Sequence, residues 1–278
     1  MLDRLPFAIP GLGGTATAAP AVDSWEVLGV EFLSPLMIFC VFLAIHSLGY
    51  AAARAVRSAG PHLAGHAWVT LLAFTALTWY GVEGWFFQNK WDSDRIMGYV
   101  TNAYITVTIM VGFQLYELLC CYLAPVLCGK GNQMLIHHVM ALLLAVAARE
   151  NGYLHYYGSF YMGVIESSSI ALVFVDLFKQ FPALRSRYPA ANEVARTVFA
   201  VLFIAFRAVY WPFVSYYFWI DSLAELRRGD AGTAPTWLVV MFLVFNALLT
   251  SLQFYWTHLI VQGAIKLARG EKDIDKDR

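Results

Sequence analysis

Apolar residues in this chain are gathered into long runs with few charges between their ends. Seven runs stand out: Phe32–Ala53, Trp68–Phe87, Gly98–Leu127, Met134–Ala148, Leu154–Phe178, Val194–Ile220 and Thr236–Leu267. A helix needs roughly 20 mostly apolar residues to cross about 30 Å of hydrocarbon. The runs are too long for strands and do not alternate with period two. The pattern predicts an all-α membrane protein with about seven transmembrane helices. The fourth run is short for a span. The third, sixth and seventh are long enough to tilt or to extend past the bilayer. No period of roughly 20 to 50 residues repeats along the chain. Residues 1–30 carry no continuous apolar stretch; Pro6, Pro10 and several glycines break them up. They read as a flexible tail rather than a signal peptide. Residues 31–64 read as a first helix with a basic loop, 65–270 as the main helical domain, and 271–278 as a charged tail.

Composition narrows the class. Of the 278 residues, 59% are hydrophobic and 14% charged, against a charged share of about 25% in ordinary globular chains. Lys plus Arg and Asp plus Glu are 19 each. A disordered chain would be poor in apolar residues, and a nucleic-acid binder would show a basic excess. Four cysteines in this length exclude a disulfide scaffold. Cys40, Cys120, Cys121 and Cys128 lie in or beside the runs and read as reduced thiols packed as small apolar groups. The loop charges set an orientation. Arg54, Arg57, Lys130, Lys179, Arg185, Arg187 and the basic tail fall on one side; the alternate loops are poorer. By the positive-inside rule the N-terminus is luminal or outside and the C-terminus cytosolic.

Ionisable groups within spans are costly, at about 2.5–3.5 kcal/mol each on an insertion scale. Glu117, Glu166, Arg207, His137 and His138 are therefore the informative ones. Helical spacing groups several on common faces: Gln114, Glu117 and Cys121; Glu166, Ser169, Val173 and Asp176; Arg207, Tyr210, Trp211 and Val214; Asn246, Thr250, Gln253 and Thr257. Such stripes on four helices predict an internal cavity lined by Glu117, Ser169, Arg207, Tyr210, Trp211, Asn246 and Gln253. Asn246 and Thr250 also read well as interhelical hydrogen-bonding groups. Glu166 and Arg207 read as a cavity or a buried ion pair. His137 and His138 point about 100° apart on a helix, so one can enter a cavity while its neighbour contacts another group. A neutral imidazole can act as base, nucleophile or ligand. No H-x-x-x-H or similar spacing supports a metal site, and no metal or cofactor is expected. Pro212 predicts a kink in the sixth span.

Four segments, Gly112–Leu118, Met134–His138, Gly163–Ser169 and Leu252–Trp256, in this order resemble the TLC-domain membrane proteins, which include ceramide synthases. The resemblance covers roughly residues 65–270. It implies that six of the helices form a barrel-like bundle around a lipid-sized cavity, in an endomembrane such as the endoplasmic reticulum. The ceramide synthases transfer an acyl group from acyl-CoA with the help of paired histidines and nearby acids. The resemblance would give His137, His138 and Glu166 that catalytic part, with acyl-CoA as substrate. The chain departs from the synthase pattern: Ile165 stands where the motif has a histidine, and Ser169 where it has a second acid. The expectation is a lipid-homeostasis protein of the non-synthase branch that binds or senses a membrane lipid; an acyl-CoA-dependent acyltransferase is the alternative. A transporter would show more helix breaks than Pro212 suggests. The number of copies in the assembly is not legible.

Overall fold

The computed structural model describes residues 34–56, 60–88, 94–128, 132–229 and 232–269. The N-terminal tail, Arg57, Lys90, Lys130 and the C-terminal tail lie outside the described residues. All regular structure among the described residues is helical. Helix α1 (Pro35–Ala55) starts at Ser34, whose hydroxyl accepts from the Leu36 N–H at 3.3 Å, with Pro35 at the first helical position, where its missing N–H costs nothing. Helix α2 (Pro61–Val82) also has a proline in its first turn, though after Gly60 with no side-chain cap, and runs into a π-helical turn, Glu83–Gln88. Helices α3 (Thr101–Leu123) and α4 (Asn132–Asn151) follow.

The fifth predicted run is one span in length but two helices in fact. Helix α5 (His155–Tyr161) ends, a 3-10 turn covers Val164–Glu166, and α6 (Ser167–Gln180) continues. Gly163 lies at the break, face to face with Gly81 of α2, with no room for a Cβ on either. Glycine weakens a helix interior by about 1 kcal/mol, and here its bare backbone admits a neighbouring helix. After the short α7 (Pro182–Arg187), helix α8 (Pro189–Phe203) passes through a second π-helical turn, Ile204–Tyr210, into α9 (Trp211–Arg228). Pro212 thus enters at the first turn of a helix, directly after a wide turn. The expected interruption takes that form: Trp211, just before the proline, donates its N–H to the Phe206 carbonyl five residues back, and proline is tolerated in the first turn that follows, where its missing N–H is not needed. Helix α10 (Thr236–Ala268) closes the chain.

Among the described residues, five segments are both long and apolar enough to cross a membrane: Pro35–Ala55, Thr101–Leu123, His155–Gln180, Pro189–Arg228 and Thr236–Lys266. Helices α2 and α4 have 22 and 20 residues, the length a crossing requires, but their ends are more polar. The short fourth run is short because Asn132, Gln133 and Arg149–Asn151 fall inside the helix and outside the apolar window.

Packing follows a circuit. Helix α2 packs on α3, α3 on α4, α4 on α10, α10 on α9 and the second π turn, α8 on α6, and α6 on α2. Helix α1 stands outside, against α2 and α3. A Cβ on Gly49 of α1 would come within 2.9 Å of the Gly65 Cα of α2; small residues let such helices approach closely. Inside the circuit, rings interlock edge to face: Tyr161 on Trp211 at 4.6 Å and Tyr157 on Phe218 at 5.6 Å, the arrangement that ring quadrupoles favour. Leu36, Leu48, Trp79, Val209 and Phe254 point outward. Apolar outer faces of this extent fit a lipid solvent and would be a liability in water.

Candidate functional site

Three hollows lie inside the circuit and share walls. A deep, narrow one of about 70 Å³ is lined mainly by apolar groups, among them Met110, Leu144, Ala148, Leu154, Phe242 and Leu249. A middle one of about 330 Å³ is bordered by His137, His138, Glu166, Ser168, Ser169 and Arg207. A third, about 130 Å³, holds His66, Glu117, Val173 and Asp176. The deep and middle hollows share Gln114, His137 and Glu166; the middle and third share Phe74, Phe113, Met134, His138 and Leu172. Of the three, the middle hollow reaches the size of ordinary ligand pockets, about 300–1,000 Å³.

The broken span and the second π turn carry the central polar group. Glu166 ends the 3-10 turn and Arg207 sits in the π turn, and these two turns touch. Arg207 donates to the Glu166 carboxylate at 3.2 Å, to Ser169 Oγ at 3.1 Å and through Nε to Ser168 Oγ at 3.1 Å. Ser169 in turn donates to Glu166 at 2.6 Å. All four residues are buried. The predicted Glu166–Arg207 pair is present, and two serine hydroxyls add hydrogen bonds to it, which help to offset the desolvation of a buried pair.

The histidines split. His138 Nδ1 lies 2.8 Å from Gln114 Oε1, and its Nε2 lies 3.8 Å from Glu117. His137 packs edge-on against Trp256 at 5.5 Å, and its Nδ1 is buried without a hydrogen-bond partner. One histidine contacts a neighbour, as expected for adjacent helical residues, yet both border the middle hollow. Among the described residues no hydrogen bond joins Glu166 to either histidine, so its carboxylate serves Arg207.

Glu117 is buried at the third hollow, where His66 Nε2 lies 3.0 Å from one carboxylate oxygen and 3.3 Å from the other. His66 was not among the expected residues, because it lies just before the apolar run that starts at Trp68. The spacing His62, His66, Thr70 could have found it, since residues four apart share a helix face. His46 of α1 joins the same region: its Nδ1 lies 2.7 Å from the Tyr116 hydroxyl and its Nε2 lies 3.3 Å from His62 Nδ1.

The stripe Glu166, Ser169, Val173 and Asp176 does face the hollows throughout. Trp211, Asn246 and Gln253 line the deep hollow. Asn246 also receives the Trp219 Nε1–H at 2.9 Å and donates to Ser215 at 3.2 Å, and Thr250 receives the Trp211 Nε1–H at 2.8 Å. These are the interhelical bonds expected of them. Tyr210 departs from the expected lining. It accepts from Trp85 Nε1 at 3.0 Å and borders a separate small aromatic pocket with Tyr156 and Phe213. The π turn widens the helix there, so Arg207 and Trp211 keep the inner face while Tyr210 swings off it. The cysteines also differ from expectation. Cys40 and Cys120 are free, whereas Cys121, near the end of α3, is disulfide-bonded. Its neighbour Cys120 turns inward, about 100° away on the helix, leaving Cys121 to meet a partner beyond it. Among the described residues no group of three or more His, Cys, Asp or Glu side chains is placed to hold a metal ion.

The TLC-domain family model matches residues 62–262. The chain belongs to that family. No curated protein and no solved structure matched it. The TLC-domain match takes in all three hollows, the Glu166–Arg207 group and both histidines. It begins after α1, so His46 reaches into the TLC domain from outside the matched stretch.

Proposed function

We propose that this TLC-domain protein holds a membrane lipid in its linked hollows and so acts in lipid homeostasis. The observation that carries the reading is the joined pair of deep and middle hollows: an apolar end meets a polar wall at His137 and Glu166. Along α4 from His137 to Ala148 the deep hollow runs about 16 Å, at roughly 1.5 Å per residue. Half of a roughly 30 Å hydrocarbon core has the same depth, a match that supports placing the chain of a lipid from one leaflet there. The engagement of Glu166 by Arg207, rather than by a histidine, favours binding over group transfer. The loop charges support a luminal N-terminus and a cytosolic C-terminus, and the family membership supports an endomembrane such as the endoplasmic reticulum.

A second reading, acyl transfer from acyl-CoA, is favoured by one feature. His138 is held between Gln114 and Glu117, while His137 beside it has a ring nitrogen without a partner. One experiment separates the two. Lipids copurifying with the detergent-solubilised protein are analysed by mass spectrometry, with and without acyl-CoA, together with the intact protein mass. A bound lipid with no adduct and no new product supports binding. An acyl adduct or a new acylated product that disappears in His137→Ala or His138→Ala refutes a pure binding role. Empty protein refutes the lipid-binding reading.

A further inference from the structure

The polar atoms without partners point to the chemistry of the ligand, on the reading that the hollows hold a lipid. Gln253 of α10 borders the deep hollow with 1% of its surface exposed, and its Oε1 has no hydrogen-bond partner. His137 of α4 borders the same hollow with its Nδ1 equally unpartnered. Both line the hollow where α4 and α10 pack: the His137 ring packs on Trp256, one turn beyond Gln253 on α10. A buried polar atom left unpaired costs about 1–3 kcal/mol, and two in one hollow call for a group that satisfies both.

The surroundings restrict that group. Among the described residues the full charges lining the deep and middle hollows are Glu166 and Arg207, and they neutralise each other at 3.2 Å. Neither an anionic nor a cationic headgroup finds a counter-charge there. A carbonyl can only accept, and so it cannot satisfy Gln253 Oε1. A hydroxyl both donates and accepts. It can donate to Gln253 Oε1 and, with a lone pair, accept a hydrogen bond from His137 Nδ1–H, which selects the Nδ1-protonated tautomer.

We propose that the junction of His137 and Gln253 is a binding site for the hydroxyl of an uncharged, long-chain lipid, whose apolar body fills the deep hollow. The class is a long-chain alcohol or another neutral lipid with a free hydroxyl, in contrast to a fatty acid anion or a phospholipid.

The test is scintillation proximity on the full-length protein in detergent, with tritiated hexadecan-1-ol as the probe. Unlabelled hexadecan-1-ol, 1-fluorohexadecane, hexadecane and palmitate compete. The fluoride is close in size to the alcohol but cannot donate. The expected result is competition by the alcohol roughly three- to tenfold stronger than by the fluoride, the range of one net hydrogen bond, and weaker competition by hexadecane and palmitate. Gln253→Leu is expected to remove the preference for alcohol over fluoride, read as the ratio of their competition constants. His137→Phe keeps the ring on Trp256 and reduces the preference independently, so the test stands even if one variant folds poorly. Equal competition by alcohol and fluoride in the unaltered protein, or a preference that survives both substitutions, overturns the hydroxyl site. Those outcomes leave the lipid-cavity reading in place. Failure of the probe to bind, together with an empty protein in the copurification experiment, removes both.

Discussion

Glu166→Gln is the most informative single change. It keeps the shape of the side chain and its capacity for hydrogen bonds, and removes only the charge. The guanidinium of Arg207, whose side chain is 7% exposed, then keeps Ser168 and Ser169 but loses its counter-ion. Breaking a buried pair from one side costs about 3–5 kcal/mol, because the remaining charge is uncompensated. The insertion cost of an arginine at mid-membrane, about 2.5–3.5 kcal/mol, is of the same size. The loss of one charge-assisted hydrogen bond alone would be smaller, about 1.5–3 kcal/mol. At about 2–4 °C per kcal/mol for a large domain, a 3 kcal/mol loss lowers the apparent melting temperature by about 6–12 °C.

The assay is a thermal ramp of the detergent-solubilised protein followed by size-exclusion chromatography. Arg207→Gln should be destabilised to a similar extent, because Glu166 then keeps only Ser169. The double variant, Glu166→Gln with Arg207→Gln, places two neutral amides in contact. It should recover about 2 kcal/mol or more relative to the sum of the single losses, the coupling expected of residues in direct contact. A Glu166→Gln protein that melts with the unaltered one would refute the argument, and so would strict additivity in the double variant. Either result would mean that water or lipid headgroups, rather than Glu166, compensate Arg207.

Three further outcomes follow from the geometry. Gly81→Ala should destabilise by about 1–3 kcal/mol, the cost of overpacking, because its Cβ would meet the Gly163 backbone; loss of the monodisperse peak on size-exclusion chromatography checks this. Ala148→Phe, at the far end of the deep hollow, should reduce the copurifying lipid measured by mass spectrometry, and undiminished lipid would place the chain elsewhere. His66→Ala should lower thermal stability by about 1–3 kcal/mol, since it leaves the buried Glu117 without its nearest hydrogen-bond partner, with His138 farther off at 3.8 Å; thermal stability equal to that of the unaltered protein would show that His138 takes over.

The apolar runs make the helices legible because hydrocarbon demands long uninterrupted segments. Their ends are less legible. A hydropathy window stops where polar residues begin, but the helix continues, so α2 starts at Pro61 rather than Trp68, and α4 reaches from Asn132 to Asn151. His66 was lost in that margin. The pairing of Glu166 with Arg207 was readable because two opposite charges in otherwise apolar spans have few ways to be tolerated. The position of Tyr210 was not, since a constant helical period assigns it to the face of Arg207. Only the wider π turn moves it to Trp85.

The irregular turns also argue for where the function lies. Non-helical backbone at membrane depth is tolerated only where protein or a cavity surrounds it. Two spans break their regular pattern, one at Gly163–Glu166 and one at Ile204–Tyr210, and the two breaks touch each other. Each contributes one partner of the buried ion pair. A bundle selected for stability alone would run both helices straight and fill the space with apolar side chains, which is often neutral or stabilising relative to a buried pair. The breaks instead bring Glu166, Ser168, Ser169 and Arg207 to the wall of a hollow that continues into an apolar one. That combination costs stability where the polar hollow meets the apolar one, and it is the reason to look for the ligand there.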